Sequence, residues 1–139
     1  MTPTERIIRI AGALLGVCSV LLILSAGMLF YAAWSTRHEP FWVVFWGGNA
    51  LLFIAYGVVC LLDVASGGAP GPFDAIYPLL KFGAILLALT GAAWPVMTVI
   101  RWERTGDLEA YGIVVGLVML AHGIASACWL WRPRPAAAL

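Results

Sequence analysis

Charge is what this chain has least of. Asp, Glu, Lys and Arg make up 11% of its 139 residues, and Lys81 is its single lysine. Soluble domains carry roughly a quarter, so a water-soluble fold is excluded. The basic residues Arg6, Arg9, Arg37, Lys81, Arg101, Arg104, Arg132 and Arg134 are scattered, and the formal net charge is only +1. No basic face exists that could follow a phosphate backbone, so nucleic acid is not expected as a partner.

Other chemistry is missing too. The cysteines, Cys18, Cys60 and Cys128, lie in apolar stretches and form no Cys-x-x-Cys pair, which argues against a thiol oxidoreductase, a zinc site or a full disulfide framework. They read as buried thiols. Histidine occurs only at His38 and His122, too few for a di-haem cytochrome and too differently placed to share one haem. No acidic residue follows Glu5 in the first apolar run, where a proton-coupled small multidrug exporter would be expected to keep one. No cofactor or metal is expected, and a catalytic role is disfavoured because no nucleophile, base and electrophile fall together.

What is abundant is apolar length. Hydrophobic residues make up 63% of the chain and mean hydropathy is +0.96, concentrated in four runs at 8–34, 41–62, 77–100 and 110–131. Each meets the requirement of about 20 residues for a hydrocarbon core about 30 Å thick. Lipid cannot satisfy free backbone groups, and barrel-type alternation is absent, so the runs predict helices. The expected fold is an all-α, four-helix transmembrane bundle forming a single membrane domain over 1–139, with the bilayer as its first partner. Arg6 and Arg9 ahead of an apolar run, with Ser25-Ala26-Gly27 behind, imitate a secretory signal. The run continues to Trp34, so an uncleaved helix is the better reading.

Short loops at 35–40 and 101–109 predict two antiparallel hairpins. Ser66-Gly67-Gly68-Ala69-Pro70-Gly71-Pro72 cannot continue a helix and divides them. Thr4 is a candidate cap for the first helix. Arg132-Pro133-Arg134-Pro135 stops the last. A faint 2+2 pseudo-repeat relates the hairpins: Arg37 and Glu39 match Arg101 and Glu103, Gly27 matches Gly91, and Ala55-Tyr56-Gly57 matches Ala121-His122-Gly123. Coincidence also yields such matches in a chain rich in Leu, Ala and Gly. A real repeat would relate the hairpins by a two-fold axis along the membrane normal.

Arginines flank the termini somewhat more than the loops opposite, which puts both termini in the cytoplasm of a bacterium, with the chain in its inner membrane. Trp34, Trp42, Trp46 and Trp102 then form an outer aromatic belt, with Trp129 and Trp131 inside. Lys81 is expected to snorkel to the interface and pair with Asp63 or Asp74.

Two stripes of small residues recur at near-integral helical turns. Gly12, Gly16, Ser19 and Ala26 share one sector of the first helix, and Gly112, Gly116, Gly123 and Ala127 one sector of the fourth. Such faces allow close packing in lipid, within the chain or against other membrane subunits or a second copy. Pro95 removes the amide that would bond the Gly91 carbonyl, so a kink or hinge is expected there.

His122 lies near the midplane, where ionisable groups need an explanation. Ser126 is one turn on, and Tyr56 lies at similar depth in the second helix. A Tyr56–His122 hydrogen bond is the ordinary expectation. The sharper one is a ligand-binding site of His122, Tyr56, Asn49 and Ser126. Two functions follow: a non-catalytic accessory, packing or assembly subunit of a membrane complex, or a small-molecule or ion transporter or lipid- or quinone-binding bundle.

Overall fold

The computed structural model describes residues 1–69 and 71–133. Pro70 of the dividing loop, and Arg134 and Pro135 of the terminal stop, lie outside the described residues. The chain forms α1 (Pro3–Ser35), α2 (Pro40–Ala65), α3 (Tyr77–Thr105) and α4 (Ala110–Leu130), with a single 3-10 turn, Asp74–Ile76, leading into α3. All four helices are long and apolar enough to cross a membrane.

Each helix begins and ends where backbone chemistry dictates, in places some way from where hydropathy alone puts it. α1 starts earlier than expected, capped by Thr2 rather than Thr4. The Thr2 hydroxyl accepts from the Glu5 amide at 3.2 Å, and the Glu5 carboxylate accepts from the Thr2 amide at 2.7 Å. That reciprocal pair needs an acid three residues after the cap; Thr4 has Ile7 there. α2 runs on to Ala65 and carries Asp63 into the helix. It stops at Gly67 and Gly68, both with positive φ, 67° and 70°, where a side chain would be strained. α3 runs on through the first part of the stretch expected to be loop three, to Thr105, and ends at Gly106, φ 76°. The charged extra turn is tied down by an Arg101–Glu109 ion pair at 3.1 Å.

α1 packs on α2 and α3 on α4 as the two expected hairpins, and α1 also packs on α4. α2 and α3 have no comparable contact of their helix axes. The bundle is therefore an arc, α2-α1-α4-α3, rather than a closed ring. The two contacts that a two-fold axis would make equivalent, α1 on α4 and α2 on α3, are unlike. Large apolar side chains cover the outside of every helix, among them Ile7, Leu24, Val44, Leu79, Leu89 and Leu117. A helix apolar on all faces belongs in lipid.

Close approach is built from glycine where α3 meets α4. A Cβ at Gly123 would meet the Ala84 carbonyl oxygen at 2.8 Å and the Ala88 amide nitrogen at 2.5 Å. One at Gly116 would strike the Pro95 ring, and one at Gly91 the backbone of Leu120 and the Gly116 carbonyl. Gly112 receives Thr98 and Trp94. α3 stays helical through Pro95. Proline leaves the Gly91 carbonyl without its helical donor, and that oxygen turns toward Gly116, 3.3 Å from where a Cβ would stand. On α1, Gly12 takes the edge of Trp129 and Ala26 is buried, whereas Gly16 has nothing within 4 Å. Ala127 is only half-buried.

Candidate functional site

The interior separates into two apolar clusters with polar groups between them. Leu15, Cys60, Leu80, Ala84, Ala125 and Trp129 pack toward the dividing loop. Leu22, Ala26, Leu29, Ala50, Phe53, Val115 and Met119 pack toward the opposite loops. His122 sits between, fully buried, as are Ser19 of α1 and Ser126 of its own helix. Ser19 Oγ lies 3.0 Å from His122 Nε2, and Ser126 Oγ 3.0 Å from Nδ1. Ser126 also donates to the His122 carbonyl at 2.7 Å. With that proton committed, Ser126 accepts from Nδ1–H and Ser19 donates to Nε2, so a neutral imidazole completes every bond. The arrangement locks α1 to α4 and exposes no reactive atom.

Tyr56 does not hydrogen-bond to His122. The two rings meet edge to face, centroids 5.3 Å apart, while the Tyr56 hydroxyl reaches across to the Leu80 carbonyl at 2.8 Å. Gly83 makes this possible, because a Cβ there would come within 2.7 Å of the Tyr56 ring. Asn49 donates to its own helix, to Phe45 O at 2.7 Å.

A second polar node was not legible as one in the sequence. Asp63 is only 3% exposed, and its Oδ2 accepts from the Tyr77 hydroxyl and, at 2.7 Å, from Trp129 Nε1. It thereby ties α2 to the start of α3 and the end of α4. Trp129 is thus a core anchor rather than a belt residue, because its ring fills the notch at Gly12 and its N–H needs a buried acceptor. Arg132 lies over its face at 3.9 Å and donates to the Trp129 and Gly68 carbonyls. Lys81 lies over the Trp131 ring at 5.2 Å. Cys18 and Cys60 are buried, but Cys128 faces outward.

The open side of the arc holds a cleft of about 530 Å3 between α2 and α3. Asn49, Leu52 and Tyr56 stand on the α2 wall and Gly83, Leu86 and Thr90 on the α3 wall; Leu22 and Met119 form its floor. His122 does not line it, nor does Ser126. Tyr56 reaches Leu80 across it partway along, since Val59, Ile76 and Leu79 line it beyond that bond, and about one turn past its other end Trp46 stacks on Trp94, centroids 6.0 Å apart and rings inclined 28°. Of the four side chains expected to form a site, the structure sets His122 and Ser126 in the packed interior and Asn49 and Tyr56 on the cleft. Thr90, which also lines the cleft, carries no signal in the sequence, because no periodicity distinguishes a residue facing a cleft from one facing lipid.

Among the described residues no group of three or more His, Cys, Asp or Glu side chains could hold a metal. No buried side-chain nitrogen or oxygen there lacks a partner. No protein-family model, no curated protein and no solved structure matches this chain.

Proposed function

We propose that this multi-pass membrane protein is a non-catalytic bundle that binds a lipid-soluble small molecule in the cleft between α2 and α3. The observation that carries the reading is the cleft itself: about 530 Å3, within the range of about 300–1,000 Å3 typical of small-molecule sites, and open sideways to the hydrocarbon. A site of this kind is loaded from the membrane rather than from water. The dense α1/α4 and α3/α4 interfaces supply a rigid back wall. The protein is taken to lie in a bacterial inner membrane with both termini cytoplasmic, a reading supported by Arg6, Arg9 and Arg132 on that side.

Extraction into lipid nanodiscs followed by mass spectrometry of the solvent-soluble fraction tests the proposal. A hydrophobic molecule retained near one per chain by the wild type and lost from Leu86→Trp, which fills the cleft, is the expected result. A wild type that holds nothing beyond the bulk phospholipid would sink it.

A second reading, an accessory or assembly subunit, draws support from two glycines of α1. Gly16 and Gly27, three turns apart, both have open space where a Cβ would stand, so a helix of another subunit or a second copy could approach there. Disulfide trapping from Gly27→Cys in native membranes tests this; only monomer, with no mixed product, would count against it.

A further inference from the structure

We infer that the α2–α3 cleft takes a molecule with a flat head bearing carbonyl or hydroxyl oxygens on an apolar tail, the chemistry of a prenylated quinone or quinol, and holds the head between Asn49 and Thr90 beside the Trp46–Trp94 stack. The inference rests on the binding role proposed above and specifies its ligand.

Three observations carry it. The cleft is a window and not a through-groove. Its lining runs from Asn49 to Val59 on α2 and from Ile76 to Thr90 along α3 and the turn before it, about 15–21 Å at 1.5 Å per residue. A partner helix needs a continuous groove across about 30 Å of hydrocarbon, so a compact occupant fits and a transmembrane helix does not.

The window also holds polar atoms at a depth where lipid offers no partner. Asn49, the only asparagine in the chain, lines the cleft and has one amide N–H committed to Phe45 O, which leaves its Oδ1 and second N–H available to an occupant. Thr90 stands at the middle of α3 and its hydroxyl makes no hydrogen bond among the described residues. The helices are antiparallel, so their register can be read from the tryptophan pair. Asn49 lies three residues beyond Trp46 and Thr90 four before Trp94, which sets both about 5 Å below the stack. A phospholipid keeps its oxygens at the membrane surface and would offer these atoms only methylenes. An occupant that carries its own oxygens to midplane satisfies them: a carbonyl accepts from Thr90 or the Asn49 amide, and a hydroxyl donates to Asn49 Oδ1.

The third observation is the neighbouring surface. Trp46 and Trp94 stack on each other about one turn beyond Asn49 and Thr90, near enough for a planar head held by those two residues to reach them in offset or edge contact. The rest of the lining is aliphatic or aromatic, as a prenyl tail requires.

Titrating decylbenzoquinone into phosphatidylcholine nanodiscs, with tryptophan quenching as the signal, tests the assignment. The expected result is saturable quenching that Trp94→Phe removes and Leu86→Trp prevents. Asn49→Leu and Thr90→Val should each weaken binding between about three- and tenfold, the worth of one neutral hydrogen bond, while Thr90→Ser keeps wild-type affinity. Unchanged binding in both Asn49→Leu and Thr90→Val overturns the head assignment. So does quenching of Trp94 by brominated acyl chains that decylbenzoquinone cannot displace; the cleft would then bind a plain chain, and the broader binding role would stand. If neither probe quenches in a way that Leu86→Trp blocks, both readings fall.

Discussion

His122 Nε2 and Ser19 Oγ meet at 3.0 Å across the α1/α4 interface although 103 residues separate them. No other hydrogen bond spans as much of the chain among those described, and it can form only after both hairpins have docked.

That makes the pair a probe of docking. Ser19→Ala leaves Nε2 buried without a donor, and His122→Leu removes the need for one. We expect Ser19→Ala to destabilise the bundle by about 1 kcal/mol, in line with interhelical bonds in membranes. In a His122→Leu background the same change should cost little. Reversible unfolding in bicelles gives the cycle; equal costs in both backgrounds would show that the two side chains are not coupled.

Glycines separate sharply by what surrounds them. Gly91→Ala drives a methyl against the backbone of Leu120 and the Gly116 carbonyl, which cannot rotate away as a side chain can. A loss of about 2 kcal/mol or more is expected, within the range of overpacked cores. Gly16→Ala meets open space and should gain up to about 1 kcal/mol from helix propensity. Unfolding midpoints for the two variants should therefore move in opposite directions; a shift of the same sign in both would contradict the packing described.

The Asp63 node predicts a graded series. Asp63→Asn keeps an acceptor oxygen for Trp129 Nε1 or the Tyr77 hydroxyl, whereas Asp63→Leu takes the Asp63 acceptor from both donors at once. The leucine variant should lose about 2–4 kcal/mol and the asparagine variant roughly half that, since each stranded buried polar group costs about 1–3 kcal/mol. Trp129 emission should respond in both. Equal stability of Asp63→Leu and wild type would mean that the node does not hold α2 to α3 and α4.

The Arg101–Glu109 pair is the opposite case. Its side chains are 62% and 38% exposed, so water and salt screen it, and Arg101→Ala should change stability by no more than about 0.5 kcal/mol. A larger loss in the same unfolding assay would show that loop three is held by more than its glycine stop.

Much of the architecture could be read from composition and length. Four apolar runs gave four helices, and the dividing loop gave two hairpins, because lipid leaves a backbone few alternatives. Helix ends were less legible: hydropathy falls off before the hydrogen-bonded ladder does, so Asp63 and the segment from Arg101 to Thr105 looked like loop and are helix. The meaning of the small-residue stripes depended on partner faces that no single helix encodes. Gly112, Gly116 and Gly123 found α3, Gly12 found a tryptophan, and Gly16 found nothing. His122 was recognisable as a buried group needing partners, but the partner expected at matching depth, Tyr56, supplied a ring edge while two serines supplied the oxygens. The cleft was invisible for a related reason, since it arises from a contact the chain does not make.

Helix lengths differ in a way that matters for the surrounding bilayer. α4, the most enclosed helix, has 21 residues and α1 has 33, about 32 Å against about 50 Å. The shorter one matches an ordinary hydrocarbon layer, so the excess of α1 must either lean or stand clear of the oil, carrying Arg6 and Arg9 into the headgroups. Thickness matching is therefore governed by α4 at the centre of the arc, and thinner or thicker membranes should be met by changes in the tilt of α1 rather than by repacking around His122.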